Sequence, residues 1–187
     1  MLPSLSSKWG AKLQVLIPAT SEPSSVLTRR NALVELKKID SIRISSAGKG
    51  RYAVEVFLNS STVNSCLGLS TESMGPTVRI ERELWEFKDL ANELHGIVNS
   101  AHARERCDLC SAILNWYVFG ENPDGVLLKF MGNERIARKL TKFMEDLLTT
   151  TIKYTSNDTQ SCCSGQSFIP VAVHKFLLSH PATCDAA

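Results

Sequence analysis

The chain has 187 residues, 43% of them hydrophobic and 21% charged, which fits one domain of roughly 100–150 residues with a tail. Twenty-one Lys and Arg against nineteen Asp and Glu leave a formal +2, too mild a balance for a dedicated nucleic-acid binder. No run approaches the ~18 uninterrupted apolar residues that a membrane span needs.

Residues 1–32 carry prolines and many Ser and Thr without sustained periodicity, and read as an extended or disordered tail. The folded domain is expected over 33–180, with 181–187 a C-terminal tail. From Leu33 the stretch LVELKKIDSIRISS is strand-like, with Ile42 and Ile44 alternating with polar neighbours, and AGKG makes a turn. In RYAVEVFL, Tyr52, Val54, Val56 and Leu58 fall on one face at period two, so the two runs form a hairpin. After a polar loop, TVRIER places Val78 and Ile80 opposite Arg79 and Glu81, a third antiparallel strand.

The period then changes. Leu84, Phe87, Leu90, Ala91, Leu94, Ile97 and Val98 recur at three- and four-residue steps, a helical stripe that has to cover the sheet before it. CDLCSAILNWYVFG and the turn ENPDG read as an apolar connection. Ile136, Leu140, Phe143, Met144, Leu147, Leu148 and Ile152 define a long second helix, with Asn133 as its cap. A short last helix is expected with Pro170 in its first turn and Val173, Phe176 and Leu177 facing inward. The predicted fold is α+β: a three-stranded antiparallel meander packed against three to four helices.

This order, with residues 78–94 and 134–148, resembles the phox homology (PX) domain family. The family's third strand ends in an Arg-Arg-Tyr-x-x-Phe-x-x-Leu signature. Here Arg82-Glu83-Leu84-Trp85-Glu86-Phe87-Lys88-Asp89-Leu90 stands in its place, and Arg82, Phe87 and Leu90 match. ERIARKLTKFMEDLL is similar to the family's basic long helix, and VHKFLLSH to its last short one. The resemblance implies a module that binds phosphoinositide membranes by equilibrium binding. It implies Arg82, Lys129, Arg135 and Arg138 as headgroup contacts and Trp116, Tyr117 and Phe119 as the membrane-dipping segment. It further implies a cytoplasmic protein, peripheral on endosome-like membranes. Glu83 occupies the place of the family's phosphate-gripping arginine. The alternative is therefore a PX-fold adaptor that binds a protein partner and has lost headgroup recognition.

Independent of any family, Lys129, Arg135, Arg138, Lys139 and Lys142 are interrupted by one acid, Glu134, the densest positive stretch in the folded region. Arginine forks suit phosphate oxygens. No phosphate-cradling glycine loop and no GxSxG motif is present, His95 sits beside apolar Leu94, and no enzyme activity is expected. Of the six cysteines, Cys107-x-x-Cys110 with His102 upstream has the spacing of half a zinc site. Adjacent Cys162 and Cys163 make a poor second pair, and His174 is a candidate fourth ligand. Nothing in the start of the chain reads as a secretory signal, so reduced, buried thiols with no metal and no cofactor are the expectation.

Overall fold

A computed structural model of the chain describes residues 24–59, 76–120, 131–155 and 163–179. Its elements are α1 (Ser24–Leu36), β1 (Ile39–Gly48), β2 (Arg51–Leu58), β3 (Val78–Glu83), α2 (Leu84–Ala101), α3 (Asp108–Phe119), α4 (Asn133–Tyr154) and α5 (Ser164–Leu178). The three strands form one antiparallel sheet in the order β1-β2-β3, so the fold is the expected α+β meander with helices.

The register shows why these strands pair. Val54 and Val56 of the central strand lie opposite Ile44 and Ile42 on one side and Ile80 and Val78 on the other. These aligned branched side chains make the apolar floor of the core. The opposite face is charged: Arg79 meets a half-buried Glu55 at 3.4 Å, and Arg51 meets Glu81 at 3.6 Å as an exposed cross-strand pair. The β1–β2 turn is closed by Lys49 and Gly50, both at positive φ (51° and 75°), as a two-residue type I′ connection demands.

The helices cover the floor from one side. Phe87 from α2 meets Tyr52 and Phe176 edge-on, with ring centroids 6.4 and 5.0 Å apart. Burial pushes the Tyr52 hydroxyl above its usual range. From α4, Ile136, Leu140, Phe143, Met144, Leu147 and Leu148 are buried, the stripe that the sequence predicts. Thr141 Oγ1 accepts the Ile44 N–H at 3.0 Å, so α4 also satisfies part of the β1 edge.

Several expectations need correction. Helix α1, from Ser24 to Leu36, lies partly inside the span read as tail: Ala32, Leu33 and Leu36 bury one end of it, and it packs on α5. The segment LVEL completes this helix instead of starting a strand. CDLCSAILNWYVF is a full helix, not a connection, and buries Leu109, Cys110, Ile113 and Trp116. Among the described residues there are five helices, against the three to four expected, within the same α+β arrangement. Pro170 lies well inside α5, which starts earlier because the Cys163 side chain accepts the Gln166 N–H and caps it. Gly132, not Asn133, caps α4: its carbonyl accepts the Arg135 and Ile136 N–H groups. The tails 1–23 and 180–187 lie outside the described residues.

Candidate functional site

Arg135, Arg138 and Lys142 follow one another at helical steps of three and four, which places them on one exposed face of α4. With Lys139 and Met131 they line an open groove of about 250 Å³. Among the described residues no carboxylate is paired with Arg135, Arg138 or Lys142. Three donors-only side chains on one face, with the apolar Met131 at the edge, can hold a multiply charged anion.

Arg82 does not join them. Its side chain is buried, and its guanidinium donates to Glu86 Oε1 (3.0 Å), to the Phe176 carbonyl (3.1 Å) and to the Ser179 carbonyl (2.9 Å). It also lies 5.1 Å from the centre of the Phe176 ring. Arg82 therefore ties the end of β3 to α5, and the expectation that it grips a headgroup is corrected. The second oxygen of Glu86 accepts the Glu83 N–H at 2.7 Å, closing the first turn of α2. Glu83 in turn accepts from Trp85 Nε1 at 2.7 Å. The hollow beside Arg82, about 220 Å³, is lined by Glu86, Asp89 and Glu93 with Trp85 and Lys175. The signature region thus presents acids where the resemblance implies a phosphate site. Lys129 lies outside the described residues.

The three aromatics of the expected membrane segment part company. Trp116 is core: it packs on Phe143 with ring centroids 4.6 Å apart and donates Nε1–H to the Phe143 carbonyl. Tyr117 is half-buried, stacks on His95 at 4.3 Å and donates to Asn92. Neither is free to enter a bilayer. Phe119 is 83% exposed and follows the exposed Val118 at the end of α3.

A second constellation gathers at the other end of α3. His102 caps the C-terminus of α2, Cys107 is the N-cap of α3, Cys110 sits in its first turn and Cys163 caps α5. Their donor atoms all lie within 4.8 Å of one another. Cys163 Sγ stands 3.6 Å from Cys107 Sγ and 3.7 Å from Cys110 Sγ. Gln166 donates its backbone N–H to Cys163 Sγ and its side-chain amide to Cys107 Sγ and to the Tyr154 carbonyl. Burial pushes the Cys107 thiol up. Hydrogen bonds from the Cys110 N–H, His102, Cys163 and Cys110 outweigh it and hold the thiol at about 7. Burial, with Cys107 and Cys163 alongside, pushes the Cys110 thiol up.

Of the three described thiols, all free, only Cys110 is buried as expected; Cys107 and Cys163 are half-buried, and with His102 they converge as four possible donors. His174 is not among them, for its Nε2 meets Glu35 Oε2 of α1. The fourth donor, Cys163, was obscured in the sequence by its neighbour Cys162, which lies outside the described residues. Comparison with family models, curated proteins and solved structures finds no match to this chain.

Proposed function

We propose that the protein is a non-catalytic module that docks on anionic, phosphoinositide-bearing membranes through the α4 groove. The observation that carries this reading is the row Arg135, Arg138 and Lys142, which faces solvent with no described carboxylate against it. Each cation near an anionic bilayer contributes about 1 kcal/mol, so such a row holds a domain loosely by itself. Headgroup phosphates would add charge-assisted bonds to the arginine forks. Phe119 and Val118, at the end of α3 that packs near Phe143, supply an apolar contact for the lipid interface. No helix among the described residues is long and apolar enough to cross a membrane, which suits a peripheral mode of attachment. Binding of this kind is an equilibrium, without turnover, and would place the protein on cytoplasmic faces of endomembranes.

The acid-lined hollow by Arg82 favours a second reading, an adaptor for a protein partner. Glu86, Asp89 and Glu93 around the exposed Trp85 repel phosphate and suit a basic, apolar peptide.

Vesicle sedimentation separates the two. The membrane reading expects sedimentation with phosphoinositide vesicles at ~0.15 M salt, beyond that with phosphatidylserine vesicles of equal charge density. Protein that stays in the supernatant with both would leave the adaptor.

A further inference from the structure

We propose that His102, Cys107, Cys110 and Cys163 bind a structural zinc ion that ties the ends of α2, α3 and α5 together. This site is independent of the α4 groove and stands whether or not the membrane reading holds.

The distances carry the argument. A tetrahedral zinc with Zn–S bonds near 2.3 Å sets its sulfurs about 3.8 Å apart. The Cys163 sulfur stands 3.6 and 3.7 Å from its two partners. A disulfide would need sulfurs near 2.05 Å and would leave one of three thiols over. Cys107-x-x-Cys110 on the first turn of a helix is a usual half of a structural site, and Cys163 with His102 completes a Cys₃His set. Three soft thiolates with one imidazole select zinc over calcium or magnesium, which want oxygen, and leave no iron–sulfur set of four cysteines.

The surroundings are built for anionic sulfur. Cys107 and Cys163 each cap a helix, so two positive helix ends point at the cluster. The two N–H groups of Gln166 on Cys163 and Cys107 are the outer contacts that orient thiolate ligands. Gly165 is required as well: a Cβ there would overlap Cys110 Sγ, a sulfur fixed on a buried helix turn. Binding converts each thiol to a thiolate and releases its proton to solvent, while neutral His102 gives a nitrogen lone pair. Four protein donors close the shell, so the ion holds structure and offers no open position to a substrate.

The test uses the full chain, purified without chelator from zinc-supplemented culture. About one zinc per chain is expected, and replacement by cobalt should give the absorption bands of a tetrahedral thiolate site. His102→Asn should shift those bands, Cys163→Ser should lose the stoichiometric metal, and His174→Asn should keep it. Loss of metal in Cys163→Ser is also the result of a domain that fails to fold, so the cobalt spectrum of the unaltered protein decides independently. Under about 0.2 metal per chain with no cobalt–thiolate band, or a Cys107–Cys163 or Cys107–Cys110 disulfide in freshly purified protein, overturns the proposal.

Discussion

Arg82 and Glu86 form an ion pair at 3.0 Å, one turn apart across the junction of β3 and α2. The same carboxylate caps the helix through the Glu83 N–H, so one acid aligns both strand end and helix start. Glu86→Gln keeps the shape and removes the charge. It should lower stability by about 1.5–3 kcal/mol, the range for hydrogen bonds to charged groups, and urea unfolding reads this directly. Vesicle binding of the folded variant should not fall, because Arg82 serves the fold.

Trp116 and Phe119 lie one helical turn apart on α3 and should respond in opposite ways. Trp116→Ala opens a hole against Phe143 and should cost about 3–5 kcal/mol in thermal or urea unfolding. Phe119→Ser touches only solvent-facing surface and should change stability by under about 0.5 kcal/mol. It should weaken vesicle binding severalfold by removing the apolar contact.

Gly165→Ala adds one methyl group where Cys110 Sγ stands. The buried turn must shift, a change of about 1–3 kcal/mol in unfolding free energy. Zinc retention under chelator challenge should fall with it. Gly96→Ala, with open space around it on α2, is the control and should leave stability the same or slightly raised.

The sheet was readable because β2 alternates strictly enough for Tyr52, Val54 and Val56 to declare a face, and α2 and α4 because their stripes are bounded by charge. The helix α1 left no such mark: its buried apolar residues, Ala32, Leu33 and Leu36, all follow the run SSVLTRRN, within which only Arg29 is buried. The helix α3 hid for the opposite reason. It is apolar nearly all round, so Leu109, Cys110, Ile113 and Trp116 do not stand out from Val118 and Phe119. At the sites, Arg135 and Arg138 were legible from charge density alone. Arg82 was not, since its partners are carbonyls of Phe176 and Ser179, more than ninety residues away. Three of the four donors in the thiol cluster were written in His102 and Cys107-x-x-Cys110. The fourth, Cys163, depends on its capping the start of α5 beside α3, a tertiary fact that spacing does not encode.

The most direct measurement is sedimentation of the Arg135→Glu/Arg138→Glu double variant with phosphoinositide vesicles at ~0.15 M salt, beside the unaltered chain. Both positions are exposed on α4, so the variant should fold with an unchanged unfolding midpoint. Reversing two charges removes roughly 4 kcal/mol of attraction at most, and bound protein should drop at least tenfold. Equal sedimentation of variant and unaltered protein would contradict the groove as the membrane contact.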